Sequence, residues 1–236
     1  MITLSVVSHA QAALAARLLR DVKSLGRVDL QVILTVNVPE TLPPEAEAVE
    51  VIHNSGARGF GANHNAAFRR ARGEYFCVLN PDIRLPQDPF PALVAELADP
   101  AVGVVAPRIV NADGEPEDSV RRFPTLGRLF RKALHGRQGP DYAIDAAPVS
   151  VDWIGGMFML FPRAAFERVR GFDERFFLYY EDVDICRRLH AAGYRVVATP
   201  AAQAIHEAQR ASRRNPRHMA MHARSMLRYL FEKPMV

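Results

Sequence analysis

Asn54 to Leu85 reads "NSGARGFGANHNAAFRRARGEYFCVLNPDIRL". The stretch opens on a glycine-rich turn and continues into a segment whose composition suits a helix reaching about Ala71. It finishes in "GEYFCVLN", an apolar run of the kind that fills a buried strand, and breaks off at Asn80-Pro81-Asp82. Turn, helix and strand in that order make half of a βαβ unit. Reading outward toward the amino terminus gives the remainder. A strand is expected at Ile2–Ser8 and a helix from about Gln11 to Ser24, with Leu14, Leu18 and Val22 recurring every four residues. Further strands are expected at Asp29–Val36 and Ala48–His53. The expected fold class is therefore α/β, with a Rossmann-like, mostly parallel central sheet flanked by helices.

Beyond Pro107 the pattern loosens. "NADGEPEDSVRRFP" is rich in turn residues, and Phe123–Gly139 reads as a helix followed by a loop. "VSVDWIGGMFMLFP" reads as a strand, a Gly-Gly break and a second strand. Helices are expected at about Arg163–Arg170 and Tyr180–Ala192, strands at "YRVVATP" and "AAQAIHE", and a basic helix from Pro216 to Phe231.

The 236 residues, 49% of them hydrophobic, suffice for one large domain with a substantial core. "ITLSVVS" after Met1 is too short and too strand-like for a signal segment, and no run approaches the length of a membrane span. Cys77 and Cys186 both sit in apolar surroundings, which predicts reduced core residues and a cytoplasmic protein. The net charge is only +4, yet Arg210, Arg213, Arg214, Arg217, Arg224 and Arg228 follow one another with no acidic residue between them. Such a tail suits an anionic partner or, equally, a solvated helix face. Nucleic acid is the weakest choice of partner, because no aromatic residues interleave with these arginines.

Four stretches could carry chemistry. The turn Gly56–Gly61 lacks the third glycine of a dinucleotide fingerprint and follows the third strand instead of the first, which argues against an oxidoreductase. It can offer backbone N–H groups and the amides of Asn54, Asn63 and Asn65 to a polar ligand, or spend those amides on its own backbone. Asp82 lies just past the carboxyl end of a strand, where open α/β sheets bind ligands, and Pro81 limits its wander. It suits a hard cation, although Pro-Asp is also ordinary turn chemistry. In "YYEDVDICRRLH", helical spacing puts Asp182 on the same face as Ile185, Cys186 and Leu189, with Glu181, Asp184, Arg187 and Arg188 pointing elsewhere. An inward carboxylate at a helix start either caps the helix or serves as a general base. His206 ends a late strand, as a ligand or a core residue; His218 and His222 read as part of a cationic face.

Together the Asn54–Leu85 stretch, "VGVVAPRIVNADGEP", "VDWIGGMFMLFPRAAFERVRGFDERFFLYYEDVDICRRLHAAGYRV" and "AIHEAQRASRR" resemble the family 2 glycosyltransferases, in particular their bacterial rhamnosyltransferase-like branch. The resemblance implies an A-type glycosyltransferase fold, a nucleotide-sugar donor and a divalent cation, Mg2+ or Mn2+. It implies a catalytic domain at 1–212, with a donor-binding half at 1–107 and an acceptor half at 108–212, then a basic helix at 213–236. The family's metal motif falls on Asn80-Pro81-Asp82, where only Asp82 offers a carboxylate, so the ion is held largely by the donor's diphosphate with His206 as second protein ligand. The base falls on Asp182, beside Glu181. Ser8, Asn37, Asn54, Gly59, Asn63 and Asn80 match donor-binding positions, and Trp153, Gly155, Gly156 and Tyr180 the sugar and acceptor cleft. Ser8-His9-Ala10 and Val36-Asn37 depart from the family's usual base-binding residues. The implied reaction is inverting transfer, with the deoxythymidine-diphosphate donor of L-rhamnose as first choice. The implied acceptor is a glycan, in many members carried on a polyprenyl diphosphate, which would bring the basic tail to the membrane surface. Transfer of another sugar, or a degenerate module that binds without catalysing, are the rival expectations.

Overall fold

The computed structural model describes residues 1–136, 139–207, 216–232 and 235. In chain order these form β1 (Ile2–Ser8), α1 (Ala12–Ser24), β2 (Leu30–Val36), β3 (Glu50–His53), α2 (Phe60–Phe68), β4 (Tyr75–Leu79), β5 (Ile83–Arg84) and α3 (Phe90–Glu96). There follow β6 (Val102–Val110), β7 (Val120–Arg121), α4 (Leu126–His135), β8 (Val149–Ser150), β9 (Trp153–Ile154), β10 (Phe158–Pro162) and α5 (Arg163–Arg168). The last elements are α6 (Glu181–Ala191), β11 (Arg195–His206) and α7 (Pro216–Phe231).

The main sheet runs β3-β2-β1-β4-β10-β6-β11-β5, with β8 added against β11. β3, β2, β1 and β4 are parallel neighbours. β10 runs against both β4 and β6, so β6 and its parallel partner β11 point the same way as β1. The sheet is thus mixed in pairing but mostly parallel in direction. β7 and β9 form a separate two-stranded ribbon.

The strands read as continuous apolar runs because both faces of the sheet are covered. Along β4 the alternation sends Cys77 and Leu79 to one face, with Leu18, Leu19, Phe90 and Leu93 of α1 and α3. Phe76 and Val78 go to the other face, with Phe166 of α5 and Ile185 and Leu189 of α6. On that second face Phe76, Phe161, Phe166 and Phe172 pack edge-on or tilted, with ring centroids 5.0–6.4 Å apart. Gly73 is forced by close approach, since a Cβ there would lie 2.7 Å from the backbone nitrogen of Thr3.

Several expectations change. "YRVVATP" and "AAQAIHE" are one strand, β11, with a register shift between Thr199 and Gln203. Pro200 lacks a ladder donor, so the break in the pattern is a local irregularity within a continuing strand. β6 and α3 occupy a stretch for which no element was expected. The Gly103 and Pro107 that make β6 look broken are accommodated, Gly103 by the close approach of Tyr194 and Pro107 opposite the irregular stretch of β11. On α6, Glu181, Asp184 and Arg188 do not point away from the core: all three are buried. Arg188 tolerates this because Asp184 lies 2.7 Å from its Nε and the carbonyls of Val169 and Gly171 accept from its Nη1, although Nη2 has no hydrogen-bond partner among the described residues. Both cysteines are buried and free, as expected.

Candidate active site

The carboxyl ends of β1 to β4 deliver Ser8, Asn37, Asn54 and Asn80 to one edge of the sheet. Asn37 and Asn63 are buried, and their amides form a closed set with Asn54. The Asn54 amide donates to Asn37 Oδ1 at 2.9 Å and to Asn63 Oδ1 at 2.7 Å. Asn37 and Asn63 in turn donate to the Arg58 carbonyl, and the Arg58 N–H returns a bond to Asn37 Oδ1. These amides therefore shape the Gly56–Gly61 turn, as their own backbone's partners. The Ser8 hydroxyl accepts from the Gln11 N–H at the start of α1. Gly59 faces the loop before α6: the Phe60 N–H donates to the Phe177 carbonyl, and a Cβ on Gly59 would meet that oxygen at 2.8 Å.

Past β4, the Ile83 N–H bonds back to the Asn80 carbonyl, so Pro81 and Asp82 do sit in a tight turn. The turn aims Asp82 at β11. Its Oδ2 lies 3.3 Å from His206 Nε2, and His206 Nδ1 lies 2.6 Å from Glu117 Oε2. Burial opposes charge on the His206 ring, but bonds and charges from Asp82 and Glu117 prevail and raise its pKa to about 9. Asp82 Oδ1 is buried without a hydrogen-bond partner. That orphaned hard oxygen suits a divalent cation in part, and His206 can join it once its Nε2 has given up the proton directed at Asp82. Among the described residues no group of three or more acidic, His or Cys side chains is disposed to hold an ion unaided. A cation at Asp82 and His206 would thus depend on oxygens brought by a ligand, as the resemblance implied.

Asp182 enters from the start of α6. The approach is strained, because Tyr179 and Tyr180 are both left-handed, with φ of 70° and 69°. For bulky side chains each such conformation costs roughly 1–3 kcal/mol. Tyr180 occupies the cap position and no side chain caps from it. Asp182 is not the cap either: its Oδ1 takes the adjacent Val183 N–H at 2.8 Å, while Oδ2 reaches across to the Gly156 N–H at 3.1 Å. Gly156 is the residue before Met157, whose carbonyl accepts from the Asn80 N–H. The turn that bears Asp82 and the Gly156 anchor of Asp182 thereby start from neighbouring positions at the paired ends of β4 and β10. Burial raises the Asp182 pKa, against the two N–H donors and the charge of Arg121. Glu181, buried with one oxygen unpartnered, is raised well above the ordinary range by burial and then by the Asp182 charge.

The segment Glu117–Arg121 spans the gap between the two carboxylates. Glu117 holds His206, the Ser119 carbonyl takes the Gly155 N–H at 2.7 Å, and Arg121 acts on Asp182. Arg121 also pairs with Asp118 at 2.7 Å and stacks over Trp153, whose indole N–H bonds the Arg122 carbonyl. A cavity of about 450 Å³ adjoins the segment, lined by Arg108, Glu117, Asp118, Tyr142 and Asp145 among others. Glu117 and Arg121 were not legible in the sequence because "EPEDSVRRFP" reads as a charged turn; the one available signal was a run of both charge signs just past a matching block.

His218 and His222 do not form a cationic face. His218 Nδ1 is 3.0 Å from the Tyr179 hydroxyl, and His222 packs against both tyrosines. Met226 and Leu230 pack inward with Tyr180 and Tyr229, whereas Met219, Leu227 and Phe231 are exposed. Arg210, Arg213 and Arg214 lie outside the described residues.

A doubly covered, mostly parallel sheet with acidic groups gathered at the carboxyl edge is common to many α/β proteins; the neighbours and the family match make this one the A-type glycosyltransferase fold. Solved structures agree: a mannosyltransferase, PcManGT, from Pyrobaculum calidifontis in complex with GDP-Man and Mn2+ superposes with a TM-score of 0.67 at 21% identity, over 96% of this chain and 64% of that one. GalNAc-T7 with UDP, GalNAc and Mn2+ gives 0.64 at 14% identity, over 88% and 44%. The model for glycosyl transferase family 2 matches residues 12–169, and the chain belongs to that family. A model described as the N-terminal domain of galactosyltransferase matches 149–212. Rhamnosyltransferase WbbL of Escherichia coli (strain K12) is 34% identical over 193 residues, covering 76% of this chain and 73% of the relative. The N-acetylglucosaminyl-diphospho-decaprenol L-rhamnosyltransferase of Mycobacterium tuberculosis (strain CDC 1551 / Oshkosh) is 32% identical over 174 residues, 68% of this chain and 56% of its own length.

Proposed function

We propose that the protein is an inverting glycosyltransferase of cell-surface polysaccharide synthesis, with a nucleotide sugar as donor and L-rhamnose from its deoxythymidine diphosphate as the sugar first to be tested. The reading draws on the two rhamnosyltransferase relatives and on one observation above the others. Asp182 is anchored at Gly156 and Asp82 at the Asn80 turn, which supports reading these two carboxylates at one edge as base and cation ligand. The acceptor is a glycan, and the decaprenol-linked substrate in one relative's name favours a lipid diphosphate as its carrier.

In this mechanism Asp182 accepts the proton of the acceptor hydroxyl as that oxygen forms its bond to the anomeric carbon. The bond from that carbon to the nucleoside diphosphate breaks on the opposite face, which inverts the configuration. Asp82 and His206 would hold a divalent cation, Mg2+ or Mn2+, whose charge offsets that growing on the leaving diphosphate. Glu181, uncharged, keeps a second negative charge away from the base. Trp153, Tyr180, Gly155 and Gly156 border the acceptor side, and Ser8, Asn37, Asn54, Gly59, Asn63 and Asn80 the donor side.

The test is transfer and donor binding across a panel of sugar nucleotides, with and without Mn2+. Asp182→Asn is expected to lower transfer about 10²–10⁴-fold while donor affinity holds. Loss of donor binding together with a loosened fold would instead make Asp182 a structural residue.

A further inference from the structure

The chemistry proposed above makes no use of α7, yet the inner side of this helix is engaged along its whole length with one loop, residues 175–180. Ser225, 6% exposed, donates from Oγ to the Leu178 carbonyl at 2.8 Å. Tyr229, 5% exposed, lies with its ring centroid 5.5 Å from that of Tyr180. His218 meets the Tyr179 hydroxyl, His222 packs on both tyrosines, and Arg228 donates to the Arg175 carbonyl. From the opposite side, the Arg187 guanidinium of α6 sits 4.3 Å above the Tyr229 ring and donates to the Tyr229 carbonyl at 3.2 Å. Residues 218, 222, 225 and 229 recur at helical spacing, so a single face makes these contacts, with Arg228 reaching in from its edge.

The loop they grip is the one that carries two successive left-handed tyrosines directly into Asp182. Left-handed backbone at bulky residues persists only where the surroundings over-determine it. Here α7 supplies much of those surroundings, together with Phe176, Val183, Phe123 and Trp153 of the same cluster. Releasing the tyrosines to right-handed backbone would turn the chain's entry into α6, and with it the first helical turn that points Asp182 Oδ2 at Gly156.

We propose that α7 is a positioning element for the base, with Ser225 and Tyr229 as positioning residues that hold the Tyr179–Tyr180 turn in its left-handed form. The proposal rests on the assignment of Asp182 as base for its kinetic consequence, but not for its structural one. The experiment therefore carries two readouts on the whole chain. Amide hydrogen exchange is followed over residues 176–184 in wild type, Ser225→Ala, Tyr229→Ala and Tyr229→Phe, and donor dissociation constants and kcat are measured on the same proteins. Both alanine variants are expected to exchange at least about tenfold faster in that window with the central strands unchanged. They should lose about tenfold or more in kcat with donor affinity within about twofold, as misplacement of a base predicts. Tyr229→Phe, which keeps the ring, should behave as wild type. Unchanged exchange in the window overturns the proposal, as does faster exchange with full kcat or a parallel loss of donor binding. If Tyr229→Ala does not fold, Ser225→Ala decides alone, since it removes a single oxygen. A wild-type protein that transfers from no donor would defeat the transferase reading and leave the exchange result to judge the clamp.

Discussion

Asp182 and Glu181 are neighbours in the chain and meet different surroundings. Asp182 has two backbone N–H donors and the charge of Arg121 to support its ionised form; Glu181 has burial and a negative neighbour. These surroundings favour the neutral form on Glu181 and support the ionised form on Asp182, the division the proposed base requires. Because burial still raises Asp182, the acid limb of kcat/KM should lie above the ordinary range for an aspartate. Arg121 lowers that pKa, so Arg121→Ala should move the acid limb to higher pH; a limb that stays put or moves down in pH rate profiles refutes the coupling. Glu181 has the opposite sign from a salt-bridged carboxylate. Its folded pKa exceeds its unfolded one, so its contribution to stability is full below the unfolded value and is lost as pH rises through the folded value. Glu181→Gln removes that dependence. Its thermal midpoint should exceed wild type at about pH 8 and approach it at about pH 5, and an equal difference at both would show that Glu181 is ionised in the fold.

At the scale of elements, the site depends on loops that approach one another without room for side chains. The Gly56–Gly61 turn and the loop at Phe176–Phe177 meet at Gly59, where an added Cβ would strike backbone, which cannot swing aside as a side chain would. Gly59→Ala should cost about 1–3 kcal/mol in urea unfolding and weaken donor binding, because it separates the asparagine turn from the loop leading to Asp182. A variant with wild-type stability would mean that the loops part without penalty. The helix start at α6 follows the same logic: strain at Tyr179 and Tyr180 is sustained by a helix some forty residues further along the chain.

Over the whole molecule, the two halves of the chain belong to one sheet, since β10 from the second half pairs with β4 from the first. No described helix is long and apolar enough to cross a membrane. The outer side of α7 exposes Leu227 and Phe231 beside Arg217 and Arg224, with no acidic residue in the helix. Contact with an anionic bilayer is the partner that charge and apolar surface jointly favour, at about 1 kcal/mol per arginine near the surface. Vesicles containing anionic lipid should therefore co-sediment the whole protein, and truncation after Ser212 should abolish this. Retention that truncation leaves intact would assign the contact elsewhere.

Periodicity, turn chemistry and the apolar runs of β1 and β4 were enough to determine the α/β class, most element positions and the presence of Asp82 and Asp182 at element ends. These are local properties, set by how successive side chains alternate or recur. The tertiary structure alone decided that β11 is continuous, that Glu181 and Asp184 turn inward, that the asparagines bind one another, that Glu117 and Arg121 act on His206 and Asp182, and that α7 grips the loop leading to Asp182. Apart from the asparagines, which lie 9 and 17 residues apart, each of those depends on partners tens of residues away or more, and burial of a charge is permitted or forbidden by what is brought against it, which no local pattern records.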